Sequence, residues 1–439
     1  MSGLLSQLPA AEQRDFSPRI DERQLPMAMR SSMKELPVIR VGQEEGDMVG
    51  RDNRVLQAAV DYIGNLGGGT VMIGPGDYTM YDSLHLRSHV SVQGEAGQTV
   101  LRKADGVVSR LALDGDFGEE QITIEDPSGF NVGNGAAIWD NRSGGFHTTV
   151  VRLTGRNGNT FSISRSLNSD CMVAQNARVA TVYPVISGYD IKGTSIEGLI
   201  IDGNKQNNVH LNGCRGAGVF LFRGFGAVIR DCVIRNYHGD GISFQQSNDV
   251  HVTHCISENN SHLGFHPGSG SQRPYVADCT ARSNGEDGLF LCWRVRHGLF
   301  ENNLLENNGR FGISIGHKDS DNLIRSNIIK SNHHSGVFFR NESLGMAGHR
   351  NQLIANTIEN NGVSEKSSGA GIRIRGETND LVFRDNIIRD TRNGSDQTQK
   401  IGILIEERAG SVHLHENEVQ ARQAVVDRRS NGVHKKSPK

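Results

Sequence analysis

Chemically capable side chains recur at a near-constant interval between positions 238 and 342. Asp240 lies in His238-Gly-Asp-Gly241 and Asp287 in Glu286-Asp-Gly288, with His266 halfway between them; His317-Lys318 and Arg340 follow at similar steps. Two chemistries suit this set. A base with nearby cations can remove the proton α to a carboxylate, while the cations neutralise the charge that develops. Two carboxylates can instead act as acid and base in glycosidic hydrolysis. Asp-Gly is also an ordinary turn dipeptide. Asp240, His266, Asp287, His317, Lys318 and Arg340 are the catalytic candidates. His238, Gln245, Ser269, Gln272, Arg273, Trp293, Arg294, Glu342 and Arg373 are candidates for holding a substrate, because aromatic rings stack on sugars while charged groups fix hydroxyls and carboxylates.

The interval comes from the elements that carry these residues. Gly218, Gly241, Gly264, Gly288, Gly312 and Gly336 each open an apolar run, 23 or 24 residues apart, and Gly371 and Gly402 continue the series. A period in the twenties with a recurrent strand signal marks a solenoid. The residues one and three past each glycine are apolar, as in Ile242/Phe244 and Ile313/Ile315, so strand alternation turns them inward. Residues two and four past the glycine then face outward, which puts His266 and Gln245 on one face with Phe220, Ser243, Phe290, Ser314 and Phe338. Strict alternation would turn Asp240 and Asp287 inward, but parity commonly breaks at a glycine bend. Two coils apart, the two acids would be about 9–10 Å from each other. A second column, Cys232, Cys255, Cys279, Asn303, Asn327, Asn356, Asn386 and Asn417, reads as a ladder of small buried groups at a turn. In the third coil, Phe265-His-Pro-Gly-Ser-Gly-Ser-Gln-Arg-Pro274 interrupts the alternation, and such local failures concentrate at functional positions.

Composition narrows the class. With 53 glycines, 10 prolines and few aromatics in 439 residues, the chain is a turn-dense all-β architecture, and its net charge of −2 argues against a dedicated nucleic-acid partner. No apolar run is long enough to span a membrane. The N-terminus lacks a basic region followed by an apolar one, which implies a cytoplasmic protein, or a secreted or periplasmic one whose leader has been removed. Six cysteines without CxxC or Cys/His spacing do not read as a disulfide framework or a metal site.

In chain order, residues 1–37 form a polar extension. A helix signal follows, with Asp52 as N-cap, Val55, Leu56, Ala59, Val60 and Ile63 on one face and Gly67-Gly-Gly69 as the stop. Leu56-Gln-Ala-Ala59, Gly67-Gly-Gly-Thr-Val71, Pro75-Gly-Asp-Tyr78 and Val90-Ser-Val-Gln-Gly94 resemble the opening of the pectate-lyase-like superfamily of right-handed parallel β-helix (pectin lyase fold) proteins. That resemblance implies a single-stranded right-handed β-helix whose N-terminal helix caps the open end of the coil. Residues 38–115 then hold the cap and first coils, and 116–185 an inserted β module, either decorative or a wall beside a groove. Residues 186–420 hold the main repeats and 421–439 a disordered basic tail. The superfamily contains lyases, hydrolases, epimerases and phage fibres, so the resemblance does not select a chemistry.

His238-Gly-Asp-Gly241 partly resembles the Asn-Thr-Asp-Gly motif of polygalacturonases, but Leu263-Gly264 stands where the paired aspartates belong, and Ser314-Ile-Gly316 replaces the Arg-Ile-Lys unit. No acidic cluster of the pectate-lyase type is present; Asp319 and Asp321 are the acids that could take Ca²⁺, the one cofactor considered. The expected partner is a polysaccharide or oligosaccharide. The expected activity is β-elimination on an acidic glycan, with inverting hydrolysis by Asp240 and Asp287 as the alternative and a non-catalytic glycan-binding or structural solenoid as the third. On sequence alone, a lyase should tolerate Asp240→Asn better than Lys318→Ala.

Overall fold

The coil repeats through three parallel sheets, to each of which successive turns contribute one short strand. In the computed structural model, which describes residues 35–429, the sheets have 13, 11 and 11 strands. One turn consists of Asp240–Gln245, His251–Thr253 and Ile256–Glu258; the next consists of Phe265–Gly268, Tyr275–Ala277 and Thr280–Arg282. The two stack in register, with Ile242 beside Phe265, Val252 beside Val276 and Ile256 beside Thr280. Inward side chains of all three sheets form one continuous apolar core, including Ile242, Phe244, Ile313, Ile315, Ile372 and Ile374.

The repeated glycines have a steric cause. A Cβ on Gly241, Gly288, Gly312 or Gly336 would lie 2.8–2.9 Å from the amide nitrogen of Asn260, Asn308, Asn332 or Asn361, respectively. These asparagines form an interior ladder in which each carboxamide donates to the next, as in Asn284 Nδ2 to Asn308 Oδ1 at 3.1 Å and Asn308 to Asn332 at 3.0 Å. The glycine and the residue after it both face the interior, so alternation breaks there and the residue before the glycine swings outward. Asp240 is carried in this way to the side of the sheet that bears His266, where it stays 1% exposed.

The Cys/Asn column forms a second ladder. Asn303 Nδ2 donates to Asn327 Oδ1 at 2.9 Å, Asn327 to Asn356 at 2.9 Å and Asn386 to Asn417 at 2.8 Å. Cys279 N–H donates to Asn303 Oδ1, which joins the buried thiols to the same column, and all six cysteines are free. The ladders satisfy turn backbone groups that water cannot reach.

The helix Asn53–Asn65 is N-capped by Asp52, which accepts from Arg54 N–H, and it buries Leu56, Ala59, Val60 and Ile63 in the main core. The inserted module is a six-stranded antiparallel sheet with its own core around Ile138, Leu153, Phe161 and Val179. The coil runs past Gln420, the boundary expected from the pattern. Strand Gln423–Asp427 pairs with Ile401–Ile405, placing Val425 beside Ile403, so the beginning of the expected tail is ordered strand. The rest of that tail and most of the N-terminal extension lie outside the described residues. No helix among the described residues is long and apolar enough to cross a membrane.

Candidate functional site

The glycine-bearing sheet places Phe220, Ser243 and His266 side by side on its outer face, and Phe290, Ser314, Phe338 and Arg373 continue the column. Within it, Asp240 and His266 meet. His266 Nδ1 lies 2.7 Å from Asp240 Oδ2, while Asp240 Oδ1 accepts Leu263 N–H at 3.2 Å. A carboxylate on Nδ1 fixes the proton there and leaves Nε2 as the basic nitrogen. Nε2 faces Gln245 Nε2 at 3.5 Å, and the same amide nitrogen donates to Ser243 Oγ at 2.9 Å. Gln245 Oε1 is buried with no hydrogen-bond partner among the described residues. His266 is only 3% exposed, so a ligand reaching Nε2 must move the Gln245 carboxamide.

Phe290 packs edge-on against His266 with ring centres 5.4 Å apart, and the Arg340 guanidinium lies 4.4 Å over the Phe290 ring. Arg340 is held by Ser314 Oγ at 2.9 Å, Leu291 O at 2.6 Å and Asp319 Oδ2 at 3.0 Å. Burial pushes the Asp319 carboxyl up to about 7, against the pull of Arg340 and two backbone donors. Arg340 therefore supports the floor of the site and has little freedom to reach a ligand.

A second group projects from the turn that follows the strands. Trp293 and His317 stack with ring centres 5.2 Å apart, and His317 Nε2 lies 2.9 Å from Glu342 Oε1. Burial, then Arg340, holds His317 below the usual imidazole range, with Glu342 acting in the opposite direction. Trp293, Arg294, His317 and Lys318 all have positive φ, 62°, 69°, 47° and 68°. The same left-handed backbone recurs at this turn on the preceding coils, at Arg223, Gln246 and Ser269, so it is the corner geometry of the coil itself. Trp293 and Arg294 are exposed and Lys318 is half-buried.

Other candidates are engaged elsewhere. Asp287 is fully buried; its Oδ1 accepts Phe311 N–H at 3.1 Å, Oδ2 has no partner, and burial pushes the carboxyl up to about 6. It repeats the bond that Asp240 makes to Leu263 and makes no contact with His266. The imidazole of His238 contacts Asn208 O at 2.7 Å. Gln272 binds backbone oxygens of its own turn and of Arg294, and Arg273 pairs with Asp249 through two 2.6 Å contacts. Ser269, at φ 47°, shapes the same turn. Arg373 pairs with Glu406 at 2.8 Å. The acids considered for Ca²⁺ both face arginines, Asp319 with Arg340 and Asp321 with Arg350 at 2.6 Å, and no cluster with metal-holding geometry occurs among the described residues.

The outer face continues toward the N-terminus into a cleft walled by the inserted module. Two connected spaces of about 280 and 460 Å³ share Val150, Arg165 and Tyr189 as lining. The Arg165 guanidinium lies 4.5 Å over the Tyr189 ring, and Phe220 and Phe222 flank that ring at 5.8 and 6.1 Å. Sequence reasoning missed this region because its coils, built on Leu84–His85 and Ile186–Tyr189, lack the recurrent glycine and are separated by the module.

A sequence profile described as "Right handed beta helix region" matches residues 134–294, 217–364 and 292–434. No curated protein matches the chain in sequence. Among solved structures, the A-module of Azotobacter vinelandii mannuronan C-5 epimerase AlgE4 is similar at TM-score 0.55 and 16% identity, over 89% of this chain and 98% of that one. The corresponding AlgE6 module gives TM-score 0.51 and 15% identity over 86% and 94%. Geobacillus virus E2 ORF18 gives 0.53 and 13% over 88% and 62%. At these identities the likeness is one of fold.

Proposed function

The chain belongs to the right-handed β-helix family, and we propose that within it this protein is a polysaccharide-active enzyme that cleaves an acidic glycan by β-elimination. The observation that carries the reading is the 2.7 Å contact between Asp240 and His266, which leaves Nε2 as a base on the outer face. In the proposed reaction Nε2 takes the proton α to a uronate carboxylate. Lys318 and Arg294 neutralise that carboxylate, Trp293 stacks on a neighbouring sugar, and the leaving oxygen takes a proton from water as the glycosidic bond breaks, while His266 later returns its proton to solvent. Arg340 is a positioning residue that holds Phe290 beside the base. Hydrolysis by Asp240 and Asp287 has less support, since both carboxylates are enclosed and that of Asp240 is bound to His266.

Two of the similar folds are, by name, mannuronan C-5 epimerases. Epimerisation at that carbon and β-elimination begin with the same proton abstraction, which supports looking for both outcomes. The test incubates the protein with polyuronates and neutral glycans in D₂O. Ultraviolet absorbance from an unsaturated product establishes elimination, and deuterium incorporation without cleavage establishes epimerisation instead. New reducing ends without unsaturation would favour hydrolysis, and no change across the panel would favour a glycan-binding solenoid.

A further inference from the structure

The cleft beside the inserted module contains a hydrogen-bonded series that the proposed elimination does not use. Asp82 Oδ2 lies 2.8 Å from His85 Nε2, and His85 Nδ1 lies 3.0 Å from Ser187 Oγ. His85 and Ser187 are direct neighbours across two parallel strands, and all three residues line the 280 Å³ space. The contact from Asp82 fixes the proton on Nε2, so Nδ1 presents its lone pair to the serine hydroxyl. Gln57 clamps the histidine backbone, accepting His85 N–H at 2.7 Å and donating to His85 O at 3.0 Å. Arg152, from the inserted module, reaches Asp82 at 2.5 Å. Burial acts to raise the Asp82 pKa, but the bonds and charges of His85 and Arg152 outweigh it and hold the carboxyl below its ordinary value. A nucleophile, a base within reach of it and a group orienting that base are the elements of an activated serine.

We propose that Asp82, His85 and Ser187 form a second reactive centre, an acyl-transfer site that cleaves O-acyl esters of sugar hydroxyls. As Ser187 Oγ bonds to the acyl carbonyl carbon, its proton passes to His85 Nδ1. The tetrahedral adduct collapses with cleavage of the bond between carbonyl carbon and sugar oxygen, and that oxygen takes the proton from His85. Water then attacks the acyl-serine and gives a proton to His85, which returns it to Ser187 Oγ as the carboxylic acid leaves. Ester and water become alcohol and acid, with no change of oxidation state. Asp82 stabilises the imidazolium formed in each half. Arg165 has no carboxylate partner among the described residues and lines the same space, where it suits the developing oxyanion. That the acyl carrier is a glycan rests on the proposed function; the reactivity of Ser187 does not.

The test treats the full chain with a fluorophosphonate probe and maps the adduct by peptide mass spectrometry. The expected result is one adduct, on Ser187, with p-nitrophenyl acetate hydrolysis lost when it forms. His85→Gln removes the base and should slow labelling by about 100-fold or more, with circular dichroism confirming the fold. Ser187→Ala should abolish labelling. A folded wild-type protein that takes no label, an adduct on another residue, or unchanged labelling in His85→Gln overturns the proposal. Each readout is independent of whether the protein cleaves a polysaccharide.

Discussion

Replacing Asp240 with asparagine tests whether His266 is the base. The carboxylate makes two contacts, 2.7 Å to His266 Nδ1 and 3.2 Å to Leu263 N–H. Asparagine can keep the second through its carbonyl oxygen, but its NH₂ would then face Nδ1. The ring must lose that contact or move its proton to Nε2, the atom that has to accept the substrate proton. Loss of one charge-assisted bond lowers stability by about 1.5–3 kcal/mol, an amount that leaves a domain of this kind folded. The catalytic loss should be far greater, roughly 10³–10⁴ in kcat, the scale seen when the orienting carboxylate of a catalytic histidine is neutralised. The assay is the initial rate of unsaturated-product formation or of deuterium exchange into a polyuronate, alongside nitrogen NMR of the His266 tautomer. A folded variant within about threefold of the wild-type rate, a barrier change under 1 kcal/mol, would refute the role of His266. The sequence alone had suggested the opposite tolerance, since nothing in it tied Asp240 to a histidine 26 residues away.

Other outcomes follow from the same geometry. Asp287 keeps its proton to about pH 6 in the fold but releases it near 3.8 when unfolded, so folding takes up a proton between those values and stability falls as pH rises through them, by on the order of 2–3 kcal/mol. Asp287→Asn should flatten that dependence, with a stability gain in urea titrations that is larger at about pH 8 than at about pH 4. Gly288→Ala places a Cβ 2.8 Å from Asn308 Nδ2 and 2.9 Å from Gly312 O; it should lower stability by about 1–3 kcal/mol, measured by denaturant midpoint at constant slope. Trp293→Ala should raise KM about tenfold with little change in kcat, the pattern of lost uniform binding, and an equal fall in kcat would place the ring at the reacting sugar instead.

The coil itself was legible because a solenoid writes each structural constraint once per turn. Glycine at a 23–24-residue interval, apolar residues one and three places later and the Cys/Asn column specified the strands, their parity and one ladder. Even so, the deeper cause of the glycines, the Asn260–Asn361 column pressing against them, becomes visible only when successive turns are stacked.

Which polar groups on that face are available was decided by tertiary structure. Asp240 and Asp287 have the same sequence context, cap the same backbone position one coil on and are both almost fully buried, yet the second oxygen of one meets a histidine and that of the other meets no partner among the described residues. Arg340, Arg373 and Arg273 look alike as exposed cations in sequence, but each is matched to a carboxylate 21, 33 or 24 residues away. Asp82, His85 and Ser187 gave no signal, because their meeting depends on strands separated by the whole inserted module. Periodicity fixes what a residue repeats, whereas charge pairing depends on distances between coils and loops that no local pattern encodes. The chain alone therefore specified the helix of strands and the face it presents. The stacking of that helix decided that Asp240 and His266 are the pair on it.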